Sequence, residues 1–133
     1  MSSFGPTLVW LNAGFFVVYG LLFAGAPETV ATFVTDGAPQ SSSSRIDFRA
    51  SYGGLQIAVG LVLAALAREP ALQATGLRAV LVIMLCMATT RTIGIAIEGD
   101  PNVWMWLFLG GELAVAAAAF AALRNSAAAA AAS

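Results

Sequence analysis

Four long runs of apolar residues divide the chain, and each approaches the roughly 20 residues that a helix needs to cross a bilayer. The runs cover residues 7–25, 46–67, 71–97 and 102–123. The short turns REPA and EGDPN join the last three runs, so these helices must be antiparallel neighbours. The pattern predicts an all-α fold, an integral membrane protein with an antiparallel bundle of four transmembrane helices in residues 1–125. An Ala-rich tail covers residues 126–133.

The connection between the first and second runs is longer and contains a patterned segment. In ETVATFVTD, Val30, Phe33 and Val34 recur with the spacing of one helix face. That spacing is typical of a short amphipathic helix lying in the membrane interface. An irregular loop fits the same residues equally well. The next residues, GAPQSSSS, have the composition of a flexible hinge, so the segment is a candidate lid.

Composition supports a membrane protein and removes several classes of function. The chain is 59% hydrophobic and 10% charged, against roughly 45–50% and about 25% in soluble domains. With a net charge of −1, no basic surface is available for nucleic acid, and we expect no such partner. Histidine is absent and Cys86 is the single cysteine. We therefore expect no cofactor and no metal site with the usual nitrogen and sulfur ligands.

The positions of the arginines predict the orientation. Arg68 and Arg78 flank the second connection and Arg124 follows the last run, whereas acidic residues concentrate around the other two connections. Positively charged residues favour the cytoplasmic side of a membrane. Both termini are therefore predicted to be cytoplasmic, with the first and third connections outside.

Charged and polar residues enter the outer half of three of the runs. With a rise of 1.5 Å per residue, Arg49 lies roughly 6 Å, Tyr52 about 10 Å, Arg91 roughly 9 Å and Glu112 about 15 Å below the outer surface. A charge at the centre of a membrane helix costs about 2.5–3.5 kcal/mol. We therefore expect Arg91 and Glu112 to pair across the short turn between their helices, with Arg49 as a second donor.

Helical spacing places further polar residues in this layer. Arg49, Tyr52, Gly53 and Gln56 form one stripe of the second helix. Nearer the surface, Asp47 or Asp100 offers Arg49 an alternative partner. The candidate ligand-binding residues are Arg49, Arg91, Tyr52, Gln56, Asp47, Asp100 and Glu112.

Small residues mark the expected contacts between helices. Ala50, Gly54 and Ala58 recur every four residues, a spacing that lets helix backbones approach closely in lipid. The predicted packing residues are Gly53, Gly54, Gly60, Gly94, Gly110 and Gly111.

The motifs FRASYGG, TRTIG and GGEL resemble a bacterial four-helix membrane family catalogued as domain of unknown function 4345. The resemblance extends from NAGFFVVYGLLFAGAPE through nearly the whole chain, and it implies a bacterial plasma (inner) membrane. The recurrent elements of the family fall here on Asp47, Arg49, Tyr52, Gly53, Gly54, Arg91, Gly94, Asp100, Pro101 and Glu112. The family often has glutamate where this chain has Asp47. The general plan is also similar to that of DoxX-like four-helix proteins, and neither resemblance implies an activity.

Three functions fit these residues. The favoured one is a polar site that binds a small polar molecule or a lipid head group. The second is an accessory or structural subunit of a larger membrane complex, or a homo-oligomer. The third is an isomerase or hydrolase acting on an apolar substrate, with Glu112 as the acid or base and Tyr52 as a proton donor. An Arg–Glu pair that only fixes the helix register is the alternative without any site.

Overall fold

The computed structural model describes residues 4–131, with side chains to residue 128, and it confirms the predicted all-α bundle. Its helices are α1 (Phe4–Gly25), α2 (Pro27–Thr35), α3 (Ser42–Phe48), α4 (Leu55–Arg68), α5 (Gln73–Glu98) and α6 (Val103–Ala131). A π-helical turn, Arg49–Gly54, joins α3 to α4, and a 3₁₀ turn, Pro70–Leu72, leads into α5. The predicted Ala-rich tail continues α6 as far as Ala131.

Four helical stretches are long and apolar enough to cross a membrane. They are Phe4–Gly25, Ser42–Arg68, Pro70–Glu98 and Val103–Ala128. Large apolar side chains cover their outer faces, and Leu11, Leu61 and Ile97 are among the exposed ones. An apolar surface on this scale suits lipid rather than water. The chain is therefore a multi-pass membrane protein.

The second span begins at Ser42, earlier than the sequence pattern predicts. Ser41 and Ser44 form a capping box, in which the Ser41 hydroxyl accepts the Ser44 amide at 3.1 Å and the Ser44 hydroxyl accepts the Ser41 amide at 3.0 Å. These bonds satisfy amides that the first turn of a helix leaves free. Most of the serine run is consequently helical, and the predicted hinge shrinks to residues 37–40.

Glycines allow α1 and α4 to approach closely. A Cβ atom at Gly60 would lie 2.6 Å from Cγ2 of Val17 and 2.7 Å from the Ala13 carbonyl oxygen. At Gly20 it would lie 2.7 Å from the Gly53 carbonyl oxygen. Atoms in van der Waals contact are about 3.5–4.0 Å apart, so this interface leaves no room for a side chain.

The other predicted packing glycines divide into two groups. A Cβ atom at Gly53 would lie 3.0 Å from α1, which places Gly53 at the α1–α4 contact beside Gly60. Gly54 meets its nearest atom only at 3.8 Å, and Gly94, Gly110 and Gly111 meet nothing within 4 Å among the described residues. Within the described part of the chain these four therefore make no close contact between helices, and α6 packs through its buried alanines. These are Ala116, Ala119 and Ala122.

We expect Gly60→Ala to lower the unfolding free energy by about 1–3 kcal/mol, the usual cost of forcing extra atoms into a packed interface. Gly110→Ala is the matched control, since the same methyl group at Gly110 meets open space. Thermal unfolding of the purified protein in detergent measures both. Equal midpoints for the two variants would contradict a close α1–α4 contact.

Candidate functional site

Arg91 of α5 and Glu112 of α6 form an ion pair inside the bundle, in which Glu112 is buried and Arg91 is partly buried. Nη2 of Arg91 donates to Oε1 of Glu112 at 2.6 Å, and Nε donates to both carboxylate oxygens at 3.1 Å. The side chains are only 20% and 6% exposed. Charge-assisted bonds of this length are roughly twice as strong as neutral ones. The structure thus contains the pair that the depth of the two residues predicts.

Two residues of α6 complete the surroundings of Arg91. Nη1 donates to Sδ of Met105 at 3.4 Å, and the guanidinium carbon lies 5.2 Å from the centre of the Phe108 ring. A cation over an aromatic ring gains about 0.5–2 kcal/mol, depending on its hydration. Because Glu112 neutralises the guanidinium, the cluster has no net charge.

A cavity of about 590 Å³ lies beside the ion pair. Its volume is within the range of about 300–1,000 Å³ that is usual for small-molecule sites. Most of the lining is apolar. The apolar lining residues include Leu8, Leu11, Phe15, Phe16, Val34, Met84, Met87, Met105, Leu107, Phe108 and Val115.

Most of the polar lining residues form a layer towards the α2 end of the cavity. They are Tyr19, Thr35, Tyr52, Gln56, Arg91 and Glu112. Asn12 also lines the cavity but lies deeper, roughly 20 Å from the end of α1, where its Nδ2 donates to the Leu8 carbonyl oxygen at 2.8 Å. From the rise per residue, Tyr19 lies roughly 9 Å and Glu112 roughly 14 Å from the helix ends nearest α2. Leu8 and Met84 lie deeper, at about 21–26 Å. The cavity therefore combines a polar layer with a floor that is apolar apart from Asn12, whose amide group is hydrogen-bonded within α1.

Four of the predicted ligand-binding residues line this cavity, namely Tyr52, Gln56, Arg91 and Glu112. Arg49 does not, and its predicted contact with Glu112 is corrected. Its Nε donates to the Ala24 carbonyl oxygen at 3.0 Å. The carbonyl groups in the last turn of a helix have no partner within the helix, and an arginine there is favourable. Arg49 therefore serves the end of α1 instead of the polar layer.

The two aspartates also lie outside the cavity. Asp47 is exposed and accepts a hydrogen bond from the Ser51 hydroxyl at 3.4 Å. Asp100 is exposed in the turn between α5 and α6, with φ of 39°. Asp47 and Asp100 lie near the ends of the spans, where a carboxylate keeps its hydration. The prediction that they belong to the ligand-binding site is therefore corrected.

Tyr52 reaches the cavity from the π-helical turn Arg49–Gly54. Its ring lies 5.4 Å from that of Phe23 and 4.9 Å from that of Phe48. A π-helical turn contains more residues than an α-helical turn, so residues three apart no longer share one face. This turn explains why Tyr52 faces the cavity while Arg49 does not. Such turns are frequent at functional sites.

Asn102 was not among the predicted site residues, yet it fixes α2 over the cavity. Its Nδ2 donates to the Val34 carbonyl oxygen at 3.0 Å and to Oδ2 of Asp36 at 2.6 Å. Its Oδ1 accepts the Met105 amide at 3.2 Å, which caps the start of α6. An asparagine directly before an apolar run is the usual sign of such a cap. The cap could therefore have been predicted from the sequence, but the contact between Asn102 and α2 could not.

A ring contact adds to this attachment of α2. The Phe33 ring lies 4.9 Å from that of Trp104 on α6. Ala31 and Val34 of α2 are buried against the rest of the chain. Helix α2, the predicted candidate lid, therefore covers the end of the cavity next to the polar layer.

We expect Glu112→Leu to destabilise the protein by about 3–5 kcal/mol, because Arg91 remains buried without its partner. Arg91→Met combined with Glu112→Leu should recover most of this loss, since no charge is then left in the interior. Arg124→Met is the control at an exposed arginine. Thermal unfolding in detergent compares the four proteins. A double variant as unstable as Glu112→Leu would contradict the pairing.

Asn102→Ala should lower stability by about 1 kcal/mol through the lost helix cap. It should also increase amide exchange in α2, because two hydrogen bonds to Val34 and Asp36 disappear with the side chain. Hydrogen exchange measured by mass spectrometry reports on α2 directly. Asn125→Ala, near the other end of α6, is the control, and equal exchange of α2 in both variants would contradict the attachment.

The comparisons with known proteins place this site within a family. The model of that family matches residues 6–123, which include the ion pair, α2 and all the polar lining residues. No curated protein and no solved structure matches the chain. The match covers most of the 133 residues. The chain therefore belongs to the family described as Domain of unknown function (DUF4345).

Proposed function

We propose that this protein binds one mainly apolar molecule that carries a small, neutral hydrogen-bonding group. The observation behind the proposal is the cavity of about 590 Å³, with its apolar walls and one polar layer. Small-molecule sites combine apolar walls with a few polar groups that fix the orientation of the ligand. The apolar part of the ligand would occupy the floor around Leu8 and Met84. Its polar group would face the layer that contains Arg91 and Glu112.

The ion pair determines which polar group fits. Both oxygens of Glu112 accept bonds from Arg91, and Arg91 also contacts Met105 and Phe108. An anionic ligand would have to compete with Glu112 for the guanidinium, and a cation would have to compete with Arg91 for the carboxylate. A neutral hydroxyl or carbonyl group requires neither exchange. Of the two predicted ligands, a small polar molecule and a lipid head group, the apolar lining favours a lipid with a small, uncharged head group.

Three uncharged side chains provide the expected hydrogen bonds. The Tyr19 and Tyr52 hydroxyl groups each donate and accept, and the Gln56 amide does both as well. All three line the cavity. A hydroxyl or carbonyl group among them finds a partner without breaking the ion pair.

The enzyme hypothesis has less support from this geometry. Glu112 and Tyr52 line one cavity, as an acid/base pair would require. Arg91, however, donates to both oxygens of Glu112. Proton uptake by Glu112 would weaken these bonds to Arg91, so binding explains the arrangement better than proton transfer.

Glycines with open space beside them favour a second function, that of a subunit in a larger membrane complex or a homo-oligomer. Gly94 of α5 and Gly110 of α6 meet no atoms within 4 Å in the described part of the chain. Flat positions of this kind let another membrane helix approach closely. Stoichiometric copurification of a second chain from native membranes would support this function, and a purely monomeric protein would oppose it.

The proposed location is the bacterial inner membrane, with both termini in the cytoplasm. On the α2 side, Nη1 of Arg45 pairs with Oε1 of Glu28 at 3.2 Å. Arg49 is the other arginine on that side, whereas Arg68, Arg78 and Arg124 lie on the opposite side. This difference in arginine number supports an orientation with the α2 side outside the cell.

We expect Gly111→Leu to reduce binding of tritiated hexadecanol at least about tenfold, equivalent to 1.4 kcal/mol. Gly111 lines the cavity, so a leucine there takes up space that the ligand needs. Gly110→Leu adds the same side chain one residue away, outside the lining, and should bind like the wild type. A scintillation proximity assay on detergent-purified protein measures binding, and equal affinities for the two variants would contradict the proposed site.

A competition series tests the charge argument with the same hydrocarbon chain. Unlabelled hexadecanol should displace the labelled alcohol better than hexadecanoate or hexadecyltrimethylammonium does. The physical reason is that neither charged head group is accommodated without breaking the Arg91–Glu112 pair. Stronger displacement by hexadecanoate would show that Arg91 is available to anions and would contradict the proposed neutral ligand.

A further inference from the structure

One wall of the cavity is formed by side chains that also face the exterior of the bundle. Leu11, Phe15 and Leu107 line the cavity, and they are 66%, 49% and 58% exposed. Leu11 and Phe15 lie one turn apart on α1, as Leu107 and Gly111 do on α6. These four residues form the two sides of an opening between α1 and α6, which we name the α1–α6 portal.

The packing of the bundle explains this opening. Helix α1 packs mainly on α4 and the π-helical turn before it, α6 packs mainly on α5, and α1 and α6 touch only sparsely. Gly111 adds no side chain to the gap and has nothing within 4 Å of its Cβ position among the described residues. On the α2 side, the rings of Tyr19 and Phe108 approach each other with their centres 6.4 Å apart. Leu107 is adjacent to Phe108 and lies at about the level of this ring contact, whereas Gly111, Phe15 and Leu11 lie roughly 12–21 Å from the helix ends nearest α2. The portal therefore extends from the ring contact into the level of the hydrocarbon.

The end of the cavity next to the polar layer is covered in a different way. Asn102 holds the Val34 carbonyl oxygen and Asp36, and the Phe33 ring contacts Trp104. A ligand arriving from water would have to displace α2. A ligand already dissolved in the bilayer meets only the apolar side chains of the portal.

We infer that the ligand is a lipid of the surrounding bilayer, which enters sideways through the α1–α6 portal. This inference rests on the proposed function and adds the source of the ligand and its route. The portal side chains Leu11, Phe15 and Leu107 offer no hydrogen bond to a passing head group. A charged head group would lose its hydration there without replacement, whereas a single hydroxyl or carbonyl group loses much less. The route thus selects the same neutral class of lipid as the ion pair.

The test measures the rate of entry in a membrane. The protein is reconstituted into phosphatidylcholine vesicles and mixed with vesicles that carry hexadecanol with a diazirine in its chain. Irradiation at successive times attaches the alcohol to nearby residues, and mass spectrometry locates the labels. We expect labelling of the cavity floor at Met84 and Val115, which are lining residues.

Tryptophans in the portal should slow this labelling. Leu11→Trp combined with Leu107→Trp is expected to reduce the rate at the floor at least about tenfold, while the final amount of label stays unchanged. The control is Leu21→Trp combined with Leu113→Trp. It alters leucines of the same two helices that are 56% and 51% exposed and lie outside the lining. Unfolding midpoints of both double variants verify that they are folded.

The possible results separate the route from the site. Slower entry in the portal variant alone supports the portal. Equal rates in the portal variant and its control overturn it. Entry that is accelerated by Asn102→Ala and unaffected by the portal tryptophans also overturns it, because the ligand then passes α2, and the proposed binding function stands. A floor that stays unlabelled in the wild type at long times contradicts the proposed function itself.

Discussion

The ion pair between Arg91 and Glu112 is the constraint on which the arrangement of this bundle depends. Each charge alone is costly in an apolar medium, so the two helices must present the side chains at one depth and towards each other. Three hydrogen bonds between the two side chains leave little freedom for sliding or rotation of α5 against α6. The same pairing leaves the adjacent cavity without net charge. The need to pair charges in the membrane thereby leaves the cavity suited to uncharged polar groups.

The cavity itself arises from unequal packing between the helices. The glycines Gly20 and Gly60 bring α1 and α4 into close backbone contact, and alanines together with the ion pair hold α5 and α6 together. The remaining space lies between these two tight pairs. Methionines such as Met84 and Met87 line part of it, and their flexible side chains adapt to irregular shapes. The cavity thus results from two strong helix pairs that meet over a smaller area.

The sequence predicted the features that follow from the free energy of apolar and charged groups in lipid. The four spans follow from apolar length, and the Arg91–Glu112 pair follows from depth and from the high cost of a lone charge. Arg49 was assigned wrongly because ideal helical periodicity places it beside Tyr52, whereas the π-helical turn separates the two. The contact of Asn102 with Val34 joins residues 68 positions apart, and no local pattern encodes such a distance. The capping box of Ser41 and Ser44 is a local sequence pattern and could have been predicted, but the composition of the serine run indicated a flexible hinge instead.

Asn102 has two structural roles, because it attaches α2 and caps the start of α6. The same side-chain amide fastens α2 through its nitrogen and begins α6 through its oxygen. Glu112 stands on that same helix, less than three turns further along. A displacement of α2 would therefore act on the first turn of α6, which precedes Glu112 on the same helix. The helix that covers the cavity and the helix that carries Glu112 are thus joined at the start of α6, by the Asn102 hydrogen bonds together with the Phe33–Trp104 ring contact.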